Sequence, residues 1–127
     1  MKLHDNKPTG VNIFSGYGEG FVLVNGRRIE HSVVVLPDRI IEDWGATTFE
    51  ALTAAHLEAL AELDRDVVLL GTGARLRFPG PDLMRQVRQR YAATNMGLEV
   101  MDVQAACRTY NILIAEERKV AAALLIR

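Results

Sequence analysis

The chain has 127 residues, 49% hydrophobic and 24% charged, a composition typical of compact globular proteins and a length that buries a core without disulfide or metal staples. Fifteen Lys plus Arg against sixteen Asp plus Glu leave a formal net charge of -1, which argues against a general nucleic-acid binder with its broad basic footprint. One cysteine, Cys107, excludes an intrachain disulfide, and His4, His31 and His56 are too scattered for a structural zinc site.

The first ten residues, MKLHDNKPTG, are polar and turn-rich and read as loop, with no apolar stretch of the kind a secretory signal carries. The longest apolar run, residues 120–126, is seven long and far below the roughly 18 that a membrane helix needs. A single domain over residues 1–127, free in the cytoplasm and not inserted in a membrane, is the resulting expectation. A short strand is expected over residues 11–14. Phe21-Val22-Leu23-Val24 and Arg27-Arg28-Ile29 flank Asn25-Gly26, the pair that supplies both positive-φ residues of a type I′ hairpin. Ser32-Val33-Val34-Val35-Leu36 is β-branched and predicts a strand buried on both faces, followed by a turn at Pro37-Asp38 and a short strand over residues 40–44.

Thr47-Thr48-Phe49-Glu50 has the form of a capping box and predicts a helix from there to about Asp64, with Leu52, Ala55, His56, Ala59, Leu60 and Leu63 on its apolar face. Val67-Val68-Leu69-Leu70 reads as a central strand that breaks into Gly71-Thr72-Gly73. After a loop containing Arg75, Arg77, Phe78 and Pro79, a second helix starts at Pro81 and runs to about Thr94, burying Leu83, Val87 and Tyr91, and Asn95-Met96-Gly97 closes it, with glycine just past its end. Leu98 to Met101 form a strand, Asp102 caps a third helix over residues 103–116 that is apolar nearly all round, and the tail comes after it. Propensity favours helix for Ala121-Ala122-Ala123-Leu124, but the alternation of strands and helices favours a final strand. The fold class is α/β: a three-layer α/β/α sandwich with a mixed sheet and an N-terminal β-hairpin region.

Three segments carry a family resemblance: Leu70-Gly71-Thr72-Gly73-Ala74-Arg75, Gly97-Leu98-Glu99-Val100-Met101-Asp102, and Ala105-Ala106-Cys107-Arg108-Thr109-Tyr110-Asn111. In this order they resemble the small, largely uncharacterised domain family that includes the mitochondrial respiratory complex I assembly factors and the adipogenesis-associated domain proteins. The resemblance spans roughly residues 13–126 and implies a three-layer fold, a final strand, and a non-catalytic role in assembly. Val103 stands where the family commonly has Thr, and Glu117 stands where it commonly has Gly.

The candidate chemistry is sparse. Gly71-Thr72-Gly73 with Arg75 and Arg77 suggests a small-anion cradle, but it lacks the third glycine of a dinucleotide fingerprint and the Gly-Lys-Ser/Thr of a P-loop, so a tight turn is the simpler reading. Cys107 beside Arg108 has no histidine nearby in sequence to act as its base and reads as a packing residue, with Asn111 as buried support. Asp102 is explained by its cap, and His56 by the apolar helix face. Charge is unevenly distributed: residues 42–66 carry seven acidic side chains and one Arg, whereas residues 75–90 carry five Arg and one Asp. Two functions are expected from this, neither using a metal or cofactor. The first is a non-enzymatic interaction module with a protein partner, including subunits of a respiratory complex, docking on residues 71–77 with Arg85 and Arg88. The second is a small-molecule or anion site, or a weak enzyme, between the Gly71-Thr72-Gly73 loop and the third helix, lined by Arg75, Cys107, Arg108 and Asn111. Nucleic acid is the least favoured partner.

Overall fold

A computed structural model describes residues 10–126, so most of the loop expected over residues 1–10 lies outside the described residues. The strands are β1 (Phe14–Gly18), β2 (Phe21–Val24), β3 (Arg27–Ile29), β4 (Val33–Leu36), β5 (Arg39–Ile41), β6 (Val67–Gly71), β7 (Gly97–Met101) and β8 (Val120–Leu124). The helices are α1 (Ala54–Ala59), continued by a 3₁₀ turn (Leu60–Leu63), α2 (Pro81–Ala93) and α3 (Val103–Ala115).

Strands β1-β2-β3 form a small antiparallel sheet, turned at Asn25 and Gly26 with φ of 51° and 86°, as the Asn-Gly pair dictates. The main sheet has the order β5-β4-β8-β6-β7, parallel across β8-β6-β7 and antiparallel from β8 through β4 to β5. Side chains alternate across it, as period-two geometry requires. Val33, Val35, Val67, Leu69, Val120, Ala122 and Leu124 point to one face, where α3 and the small sheet cover them. Val34, Leu36, Val68, Leu70, Ala121 and Ala123 point to the other, against α1, its 3₁₀ extension and α2. The alanines of β8 sit at the centre of the sheet, where both outer layers approach, so the segment is a strand despite its helical propensity. The three-layer α/β/α arrangement with a mixed sheet is therefore the fold, one outer layer being shared by α3 and the hairpin region.

Several local expectations are corrected. The first strand spans Phe14–Gly18 rather than residues 11–14, and the strand after Pro37 is Arg39–Ile41 rather than 40–44. The first helix begins at Ala54, not at Thr47. Its capping box is formed by Thr53 and His56: the Thr53 hydroxyl accepts from the His56 amide, and His56 Nδ1 accepts from the Thr53 amide at 3.0 Å. Residues 48–52 form turns instead, the Ala51 amide donating to the Thr48 carbonyl and the Leu52 amide to the Phe49 carbonyl. The helix buries Leu57, and Ala55 and Ala59 are exposed. In α2, Met84 joins Val87 and Tyr91 as a buried residue, and Leu83 is half-buried. Asn95, not Gly97, takes the left-handed conformation after α2, at φ 60°.

Candidate functional site

The chain leaves β6 at Gly71, where the backbone has no room for a side chain. A Cβ there would lie 2.8 Å from Leu124 Cδ2 and 3.2 Å from the Val103 Cα, so glycine lets the start of α3 close onto the sheet. Thr72 is 1% exposed and binds only its own chain. Its amide donates to the Met101 carbonyl, its hydroxyl donates to the Arg75 carbonyl at 2.9 Å, and the same oxygen accepts from the Arg77 amide at 2.9 Å. Gly73, at φ 100°, accepts from the Val103 amide. At the start of α3 the Asp102 carboxylate accepts from the Ala105 amide at 2.8 Å and the Asp102 carbonyl from the Ala106 amide. The Thr72 amide and the Val103 and Ala105 amides at the start of α3 are thereby occupied, and a carboxylate already sits at the helix end. Gly71-Thr72-Gly73 thus builds a tight turn that anchors the base of the next loop.

That loop, residues 74–80, is held at several points. Arg77 donates to Glu50 Oε2 at 2.8 Å and lies over the Phe49 ring, 4.2 Å from its centroid. That guanidinium, chiefly through its hydrogen bond, holds the Glu50 carboxyl below its usual pKa. Pro79 is buried, and Pro81 starts α2. From this anchored loop Leu76 and Phe78 stand out, 49% and 63% exposed, and Arg75 is exposed with no salt bridge among the described residues. The same loop contributes Arg77, Pro79 and Gly80 to a groove of about 320 Å³ lined also by Phe49, Glu50, Leu52 and Leu83. Sequence reasoning singled out Arg75 and Arg77 and passed over Leu76 and Phe78. The available signal was two large apolar residues inside a Pro- and Gly-rich segment that has neither helical nor strand periodicity.

The other expected site residues are dispersed. Arg85 pairs with Asp82 at 3.0 Å, and Arg88 reaches the Leu98 carbonyl at the start of β7, away from the loop. The uneven charge seen in the sequence is offset in part within the fold: Glu50 pairs with Arg77 and Glu62 with Arg90, while Glu58 accepts from the neutral Gln86 amide. Cys107 is fully buried in the core, and burial pushes its thiol up to about 12. Arg108 donates to the Tyr17 hydroxyl at 3.1 Å, and Asn111 is saturated by the Phe14 backbone, accepting from its amide at 3.0 Å and donating to its carbonyl at 2.8 Å. A recess of about 290 Å³ does lie where the turn after β6 meets the start of α3, at the carboxyl ends of the parallel strands. Its walls are Gly18 to Phe21, Gly73, Ala74, Val103, Gln104 and Ile126, not Arg75, Cys107, Arg108 or Asn111. Among the described residues no cluster of His, Cys, Asp or Glu is gathered to hold a metal, and no helix is long and apolar enough to cross a membrane.

Fold and site together define a small three-layer α/β/α protein with a braced loop that exposes Arg75, Leu76 and Phe78. The chain belongs to the family described as "Protein of unknown function (DUF498/DUF598)", whose model matches residues 14–125. It is 31% identical over 125 residues to the Bos taurus protein named NADH dehydrogenase (ubiquinone) 1 alpha subcomplex assembly factor 3, covering 97% of this chain and 65% of that protein. The Xenopus tropicalis protein of the same name is spanned over 56% of its length. A solved Bordetella parapertussis structure superposes with a TM-score of 0.81 at 38% identity, covering 94% of this chain and 98% of that one. A Francisella tularensis protein named 13 kDa major membrane protein is 22% identical over 98% of this chain and 99% of its own length. The resemblance read from the three sequence motifs is thereby borne out.

Proposed function

We propose that the chain is a non-catalytic protein-interaction module that assists assembly of a respiratory complex and docks through residues 74–80. The observation that carries this reading is the loop itself: Leu76 and Phe78 stay in water although the segment beneath them is fixed by Thr72, Arg77 and Pro79. Large apolar side chains on a rigid support lose little entropy on binding, and aromatic residues and Arg are the types that concentrate binding energy at interfaces. The relatives named as NADH dehydrogenase assembly factors supply the class of partner. Affinity purification of the tagged chain at native expression, followed by mass spectrometry, tests it. NADH dehydrogenase subunits are expected with the wild type and not with an Arg75→Glu, Phe78→Ala double variant; recovery equal in both rejects the loop as the docking site.

The protein is further proposed to work in the bacterial cytoplasm, consistent with the lack of a membrane-length helix among the described residues. Cell fractionation checks this, and recovery with the membrane even after a high-salt wash would contradict it.

A second reading, a small-molecule site, is favoured by the recess at the strand ends. Glu19, Gln104 and the Phe21 ring are the groups it offers, and none of the arginines expected there lines it. A fragment screen by nuclear magnetic resonance decides it: shifts confined to Gly18, Gly73 and Gln104 would support a ligand, and none at millimolar fragment would exclude one.

A further inference from the structure

The loop reading leaves the chemistry of the partner open, and the charges around the groove narrow it. Residues 72–80 contain no acidic side chain. Of the charged groups near the groove, Glu50 is neutralised by Arg77 and Asp82 by Arg85, each within 3.0 Å. Arg75 is left as a cation without a salt bridge among the described residues, next to Leu76 and three positions from Phe78. A partner that covers Leu76 and Phe78 must also cover or pair Arg75, and burying an unpaired guanidinium would cost several kcal/mol in the desolvated complex. A basic partner would face that repulsion, and a purely apolar one the desolvation cost. Among protein side chains a carboxylate turns Arg75 to most advantage, since it both neutralises the charge and fits the planar guanidinium bidentately.

Resting on the loop reading above, we infer that residues 74–80 and the adjoining groove receive an acidic, apolar-anchored segment of a protein partner. One bulky apolar side chain of that segment packs on Phe78 and Leu76 of the loop whose Arg77, Pro79 and Gly80 line the groove, and a nearby Asp or Glu pairs with Arg75. The anchor supplies affinity and the charge supplies selection among partners.

Selection of a random-peptide library displayed on phage against the whole chain tests this, with the enriched peptides then synthesised and measured by fluorescence anisotropy. Enriched peptides are expected to carry an Asp or Glu within a few positions of a bulky apolar residue. Their binding should fall at least tenfold with Phe78→Ala and at least tenfold with Arg75→Glu, and weaken as salt is raised. Both side chains are exposed, and unchanged thermal melting of the two variants shows that they remain folded. Peptides that depend on Phe78 but not on Arg75, or that lack acidic residues, overturn the acidic assignment while the docking loop stands. Peptides indifferent to both variants, or no enrichment at all, overturn both. A dimer by sedimentation that Phe78→Ala dissociates would identify a second copy as the occupant and also overturn the proposal.

Discussion

At the scale of single residues, the Gly71-Thr72-Gly73 turn is held by bonds within the fold. Gly71, Thr72 and Gly73 serve the closure of α3 onto β6, and replacing Gly71 by Ala forces its Cβ against the Leu124 side chain and the Val103 backbone. Loss of about 1–3 kcal/mol is expected, read as a lower urea midpoint with an unchanged slope. Cys107 obeys the same logic. Its thiol is buried, and its pKa stands at about 12 against an ordinary value of 9.0, so the native protein should resist alkylation at pH 8 and react only on unfolding. Because the folded state keeps a proton that the unfolded chain releases, stability should fall as pH rises from about 9 toward 12, by at most about 1.4 kcal/mol per pH unit. Urea melts at pH 8 and pH 10 should show that decline, smaller in Cys107→Ala. Rapid labelling of the native thiol at pH 8 would contradict the buried assignment. The packing role of Cys107 was legible from composition because it needed no partner. The role of Phe78 was not, because exposure depends on what the rest of the fold covers.

At the scale of elements, local chemistry was legible wherever a single strong signal fixed the backbone. Asn25-Gly26 set the hairpin, Asp102 set the start of α3, and the β-branched run at Val33 to Val35 set a doubly buried strand. The first helix was misplaced because two Thr-containing boxes competed within seven residues. Glu50 is drawn away to Arg77, while the backbone of Thr53 is extended and its side chain caps with His56. Tertiary contact decided between them, and sequence alone does not report it. The turn from α3 into β8 shows a related cost. Glu117 adopts φ 61°, a left-handed conformation that glycine enters freely, at the position where the family resemblance implies glycine. Glu117→Gly should stabilise the protein by about 0.5–1 kcal/mol, raising the thermal midpoint by a few degrees; a lower midpoint would show that the glutamate is held there by something its backbone does not reveal.

At the scale of the whole molecule, the uneven charge seen along the sequence is offset in part, Glu50 pairing with Arg77 and Glu62 with Arg90. Sequence order separates these charges and the fold joins some of them, so the proposed docking surface rests on what one loop leaves over: Arg75 without a salt bridge among the described residues, and Leu76 and Phe78, which with Ile112 on α3 are the exposed large apolar side chains. The fold was legible almost entirely, from alternation and turn chemistry together with the three family motifs. The proposed site was legible only as a region, because its arginines drew the reading and the exposure of Leu76 and Phe78 is set by what the fold leaves uncovered. The measurement that tests the central claim most directly is assembly of NADH dehydrogenase, resolved on native gels with in-gel activity, in cells lacking this protein and complemented with wild type or the Arg75→Glu, Phe78→Ala variant. Loss of the assembled complex in the deletion, restored by wild type and not by an equally abundant variant, is the predicted result. A normal complex in the deletion strain would contradict the assembly role, and full rescue by the variant would contradict the loop as its instrument.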